Sequence, residues 1–170
     1  YAKNKQQEIK LYDNNTIEFR NVSFKYPNME QYALRNVNVV LSGGEKVGIV
    51  GENGAGKSTF VKLLLRLYDV SEGEILLNGV NIKNYDYDEY AKVFSVVPQD
   101  YALFFFGIAE NIAFDKYKEE IDNVKKNLIR VDMLKKVEKL PYGMDTYLSK
   151  WFSKGTDFSG GETQRIAIAR

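Results

Sequence analysis

The chain has 170 residues, 44% of them hydrophobic, with 24 Lys and Arg against 23 Asp and Glu and a net charge of +1. That is the makeup of a globular chain of one domain or slightly more, and its interspersed, nearly balanced charge offers no nucleic-acid footprint. The absence of cysteine excludes a disulfide framework and thiolate metal sites, and no apolar run approaches the ~20 residues of a membrane-spanning helix.

The N-terminus, Tyr1-Ala2-Lys3-Asn4-Lys5, has no initiator Met and no signal-peptide core, so the chain reads as a piece of a longer polypeptide. Residues 1–15 are polar and charged and read as a linker or loosely attached arm. Thr16 to Phe24 alternates apolar and polar residues, which predicts a half-buried strand, and Tyr26-Pro27-Asn28 breaks it. Leu34 to Leu41 reads as a second strand, followed by a tight turn at Ser42-Gly43-Gly44-Glu45. Lys46 to Val50 is apolar enough for a strand buried on both faces. Phe60 to Tyr68 is glycine-free and predicts a helix. Glu74 to Leu77 is a short strand with a turn at Asn78-Gly79, and Val93 to Val97 a short buried strand stopped by Pro98.

From about Gln99 the pattern turns helical. Ile108 to Phe114 predicts a short helix. Glu119 to Ile129 and Val131 to Leu140 carry apolar residues at helical spacing: Ile121, Val124, Leu128 and Val131, then Leu134 and Val137. Pro141-Tyr142-Gly143 ends that run, and Trp151-Phe152-Ser153-Lys154-Gly155 is a loop with two large aromatics. Ser159-Gly160-Gly161 then opens a helix that continues to Arg170.

Between the predicted strand at 46–50 and the predicted helix stands Gly51-Glu52-Asn53-Gly54-Ala55-Gly56-Lys57-Ser58-Thr59. It fits G-x-x-x-x-G-K-[ST], the phosphate-binding P-loop, in its required strand–loop–helix context. A triphosphate carries several negative charges, so its site must supply many donors at short range. Glycines let backbone N–H groups turn inward without a Cβ in the way. The helix that follows adds its unpaired N–H groups and its positive dipole end. Lys57 would reach the β- and γ-phosphates, and the Ser58 hydroxyl would sit on Mg²⁺.

Phe158-Ser159-Gly160-Gly161-Glu162, followed by Gln164-Arg165, resembles the signature sequence of ABC-type ATPases. On physical grounds alone, a capped helix opening on two glycines exposes N–H donors and makes a second anion site. Asn21 to Pro27 resembles the aromatic A-loop of that family. Tyr26 is then the candidate to stack on adenine, against the plainer reading of a packing residue at a strand edge. Val97-Pro98-Gln99-Asp100 resembles the Q-loop, so Gln99 would help ligate Mg²⁺ or position water near the γ-phosphate. Lys150 to Gly155 occupies the place of a loop that, in exporters, touches the membrane domain; the alternative is that Trp151 and Phe152 pack the helical part. The resemblance runs from Ile17 to Arg170 and looks like the exporter branch.

The resemblance implies an α/β fold: a P-loop NTPase core of RecA-like type, an antiparallel β subdomain and an inserted α-helical subdomain. The expected division is an arm at 1–15, the nucleotide-binding core with the β subdomain at 16–98, the helical subdomain with the Q-loop at 99–158, and the signature at 159–170. The implied cofactors are ATP and Mg²⁺. Gly51, Asn53, Gly54, Ala55, Gly56, Lys57, Ser58, Thr59, Tyr26, Ser159, Gly160 and Gly161 would hold ATP; Ser58 and Gln99 would hold the metal; Lys57 and Gln99 would serve the reaction. The implied partners are a second nucleotide-binding domain, head to tail, and a transmembrane domain of the same or another chain, at the cytoplasmic face of a membrane. An importer subunit and a soluble non-transport ATPase are the alternatives.

The sequence departs from the family's pattern in two ways. Glu162 replaces the usual Gln and Phe158 the usual Leu. The carboxylate either weakens the attraction for phosphate or points to solvent. The family also expects, after the signature, a Walker B strand with an Asp and a Glu, then a switch histidine. The sequence holds no histidine and ends before Walker B, so the core sheet is expected to be incomplete and this chain alone is expected to bind ATP without appreciable turnover.

Overall fold

The computed structural model describes residues 7–170, so the first six residues of the expected arm lie outside the described ones. The chain divides into two compact units, Tyr1–Ser95 and Val96–Arg170.

In the first unit, β1 (Thr16–Phe24), β2 (Leu34–Ser42), β3 (Glu72–Leu77) and β4 (Val80–Asn81) form a four-stranded antiparallel sheet in the order β2-β1-β3-β4. In β1 the alternation breaks where the register shifts, between Phe19 and Val22. Asn21 sits there with φ 50°, and its N–H donates to Asn38 Oδ1 at 2.8 Å. The extra residue lets Phe19, Val22 and Phe24 all enter the core. The β3–β4 hairpin turns on Asn78 and Gly79, at φ 52° and 78°, as a two-residue connection between twisted strands demands.

Helix α1 (Lys57–Leu64) packs on this sheet, with Leu63 fully buried and Phe60 stacked on Phe19 at 4.2 Å. It starts and ends earlier than the apolar pattern suggests. Arg66 takes φ 54°, its N–H donates to Leu63 O, and that of Leu67 donates to Lys62 O, each at 2.9 Å. Those two bonds are a Schellman stop, here closed by an arginine instead of glycine. The Arg66 guanidinium then donates to the Ile82 and Tyr85 carbonyls at 2.9 Å. A short helix not anticipated from sequence, α2 (Tyr87–Ala91), follows; Asp86 caps it by accepting from Asp88 N. It places Tyr90 in the core, where the phenol donates to Leu64 O at 2.7 Å.

The strands expected at Lys46 to Val50 and Val93 to Val97 are not formed. Among the described residues no strand pairs with either, and Val50 is 93% exposed. Apolar composition favours a buried strand, but a strand exists only through hydrogen bonds to a neighbour. The antiparallel subdomain is therefore present as a sheet, while the segment leading into the P-loop stands without a β partner.

Residues 7–15 are held to the sheet. Gln7 N–H donates to Asn84 O at 3.0 Å. Asn78 Nδ2 donates to Lys10 O and Asn15 Oδ1 at 2.9 Å, while its Oδ1 accepts from Thr16 N at 2.8 Å.

The second unit is helical: α3 (Ile108–Ala113), α4 (Ile121–Arg130), α5 (Leu134–Glu138) and α6 (Gly160–Ala169). Val124, Leu128 and Val137, among the apolar residues noted at helical spacing, are fully buried with Ile108, Met133 and Ile166. Asp132, at φ 53°, separates α4 from α5. Asn111 is fully buried at the centre. Its Oδ1 accepts from Phe104 N at 2.8 Å, and its Nδ2 donates to Phe104 O at 2.9 Å and Gly107 O at 3.1 Å. No helix among the described residues is long and apolar enough to cross a membrane.

Candidate functional site: a P-loop and a capped signature helix

The P-loop is shaped from both ends. Gly56 is the N-cap of α1 at φ 89°. A Cβ there would lie 2.6 Å from the Ala33 carbonyl oxygen and 2.6 Å from Leu34 Cδ2. Only glycine meets both demands. The Lys57 ammonium is drawn inside the loop, donating to Gly51 O at 2.7 Å and Glu52 O at 2.6 Å. A point charge with three donors is thus concentrated where the first N–H groups of α1 have no partner within the helix. Ser58, on the first turn of α1, is exposed.

Tyr26 belongs to the same unit. Its ring packs edge-on to Phe24 at 5.0 Å and Tyr68 at 5.3 Å, with Lys62 Nζ 5.6 Å from its centroid. Its hydroxyl lies 3.0 Å from Thr59 Oγ1. Tyr26 is thus joined by a side-chain hydrogen bond to the P-loop helix, a link the sequence did not signal.

Gln99, Ser159, Gly160 and Gly161 lie in the second unit. Gln99 is exposed. Ser159 is the N-cap of α6, with φ −65° and ψ 159°. Glu162, three residues on, turns back so that its Oε2 accepts from Ser159 N at 3.0 Å. This is the glutamate arm of a capping box, and Ser159-x-x-Glu162 is its sequence signature. The other carboxylate oxygen pairs with Lys136 Nζ of α5. Lys136 and the Ser159 amide together hold the Glu162 carboxyl far below its ordinary range, at about 2. The side chain is 17% exposed and committed to its own helix end and to α5, so it does not point freely to solvent. Lys136 Nζ also stands 5.5 Å from the Phe158 ring, so both departures from the usual signature meet one lysine. Tyr101 completes the surround by donating to Gly160 O at 3.2 Å.

Trp151 does not pack the helical unit. It is 94% exposed, beside Phe105 at 67% and Phe152 at 41%. The three line a shallow apolar hollow of about 290 Å³.

Residues 34–170 match the family profile described as ABC transporter. The chain is 42% identical over 160 residues to a subtilin transport ATP-binding protein of Bacillus subtilis, covering 91% of this chain and 26% of that one. It is 43% identical over 158 residues to an ATP-dependent lipid A-core flippase of Haemophilus influenzae, with the same coverages. It is 40% identical over 170 residues to the mitochondrial iron-sulfur clusters transporter ATM1 of Saccharomyces cerevisiae, covering 99% and 24%. Among solved structures it is similar to a bacterial Atm1-family ABC exporter with ATP bound: TM-score 0.80, 34% identity, 94% of this chain and 27% of that one. The chain spans about a quarter of the length of the curated relatives it matches. A profile match across most of the sequence, together with the likeness to a solved exporter, makes the kinship plain: the chain belongs to the ABC transporter family and covers its nucleotide-binding part.

Proposed function

We propose that this domain binds ATP with Mg²⁺ and that the full-length protein hydrolyses ATP to drive export of a substrate across a membrane, the domain lying at its cytoplasmic face. The observation that carries this reading is the Lys57 ammonium held inside a loop whose closing residue, Gly56, has no room for a Cβ. The donor set fits the group: backbone amides and an ammonium for phosphates, an exposed hydroxyl at Ser58 for a hard cation, and an aromatic ring at Tyr26 for a base. Gly51, Asn53, Gly54 and Ala55 would present loop amides, Thr59 would close the first turn, and Lys57 would offset charge on the β- and γ-phosphates. Mg²⁺, when bound, supplies further charge neutralisation on the phosphate oxygens. Ser58 and Gln99 would hold it, and Gln99 would orient the attacking water.

Ser159, Gly160 and Gly161 would face ATP held by a second such domain in a head-to-tail dimer. Catalysis of this kind is positioning and charge stabilisation, so each domain would supply half of each site. Glycines at N1 and N2 of α6 keep its amides open while Glu162 occupies only the cap side. The apolar hollow of Phe105, Trp151 and Phe152 would dock a transmembrane part of the protein.

Lys57→Ala tests the site. In the full-length protein it should abolish ATP-dependent closure of paired nucleotide-binding domains, measured by distance between spin labels; undiminished closure would count against Lys57. The 170-residue chain alone is expected to bind ATP without appreciable turnover in a steady-state assay. Turnover like that of an intact domain would remove that expectation.

A further inference from the structure

The bond between Tyr26 and Thr59 has a consequence for nucleobase recognition. Thr59 is 6% exposed, the third residue of α1, and its hydroxyl lies 3.0 Å from that of Tyr26. The other anchors of the Tyr26 ring are less directional: edge contacts with Phe24 and Tyr68, at interplanar angles of 79° and 86°, and the Lys62 ammonium at 5.6 Å. Edge contacts limit where a ring sits but leave it free to slide and tilt by a fraction of an ångström, whereas a hydrogen bond at the para position fixes its far end. Tyr26 also needs such an anchor. It follows β1 in a turn containing Pro27 and Asn28, the latter at φ 64°, where the Tyr26 carbonyl accepts a turn bond from Met29 N at 3.1 Å and lies outside the sheet ladder.

We propose that Thr59 is a positioning residue for Tyr26 and so a determinant of nucleobase affinity, distinct from its place in the phosphate loop. The inference rests on the reading of Tyr26 as the base-stacking ring. Because Thr59 stands on the first turn of α1, the hydroxyl pair ties base recognition to the element that cradles phosphate. A ligand with both a base and phosphates gains from this tie; a bare triphosphate does not.

The test is equilibrium binding of ATP and of inorganic tripolyphosphate, each with Mg²⁺, to the full-length protein and its variants. The readout is the ratio of the two affinities, which cancels a general loss of the phosphate site. Tyr26→Phe keeps the ring and removes its hydroxyl. Thr59→Val keeps the branched shape and removes the other. Each should lower the ATP-to-tripolyphosphate ratio by about two- to tenfold, the worth of one hydrogen bond. The double variant should fall no further than the lower single, and Thr59→Ser should retain the wild-type ratio. If Thr59→Val does not fold, Tyr26→Phe and Thr59→Ser still decide. An unchanged ratio in Tyr26→Phe, or losses that multiply in the double variant, would overturn the positioning role. Tyr26→Ala separates the two levels. A reduced ratio there with an unchanged one in Tyr26→Phe leaves stacking standing and removes Thr59. An unchanged ratio in Tyr26→Ala removes the stacking reading and this inference with it.

Discussion

The Glu162 carboxylate bridges the Ser159 amide and the Lys136 ammonium, joining the N-terminus of α6 to α5. A negative charge at the first turn of a helix is favourable to that helix, yet it competes with any anion the turn is to meet. Lys136 sets a positive charge against that carboxylate.

The consequence for pH has a definite sign. The folded-state pKa of Glu162 is lowered from 4.5 to about 2. The stabilisation is therefore complete above about pH 4.5 and is lost as pH falls from there through about 2. At neutral pH the contact is insensitive to small pH changes. A carboxyl-carbon NMR titration should place the Glu162 midpoint near 2 in the native sequence and move it up toward 4.5 in Lys136→Ala. A midpoint that does not move in Lys136→Ala would show that the lysine is not the partner that lowers it.

Much of this was legible in the sequence, for physical reasons that differ by element. The P-loop could be read because its chemistry fixes residue types at fixed spacing; in the structure Gly56 has no room for a Cβ, and Lys57 donates to the Gly51 carbonyl. The α4 face could be read because Val124 and Leu128 repeat at helical spacing. Lys46 to Val50 misled because an apolar run reports a preference for burial, not the presence of a partner strand. The early end of α1 was invisible because Arg66 adopts a left-handed conformation usually left to glycine, paid for by two carbonyls far along the chain. The Tyr26–Thr59 and Lys136–Glu162 pairs join residues 33 and 26 apart, and no local pattern encodes such contacts.

Asn111 is the residue on which the helical unit is expected to depend most. It is fully buried, and its side-chain amide serves Phe104 N–H and the Phe104 and Gly107 carbonyls. Arg170 adds a bond from its Nε to Asn111 O at 2.9 Å, drawing the end of α6 to the same point. Asn111→Leu keeps the volume but takes the side-chain partner from the Phe104 N–H and carbonyl, while the Gly107 carbonyl still accepts from the Asn111 N–H at 2.9 Å. Each orphaned buried group costs about 1–3 kcal/mol, so the loss should be on the order of 3 kcal/mol in chemical denaturation. A loss under about 1 kcal/mol would mean that water replaces the amide.

Trp151 supplies the last expectation. A tryptophan 94% exposed beside two exposed phenylalanines is costly to leave in water, and tryptophan is enriched among residues that dominate interfaces. If the hollow of Phe105, Trp151 and Phe152 docks the transmembrane part, the segment 147–155 should be protected from hydrogen exchange in the full-length protein. The double variant Trp151→Ala, Phe105→Ala should lose that protection. Its ATP affinity should be retained, because neither side chain belongs to the P-loop unit. Removing an anchor of this kind is worth about 2 kcal/mol or more, enough to raise exchange roughly thirtyfold where docking limits it. Equal exchange in the native and variant proteins would mean that this aromatic surface carries no partner there.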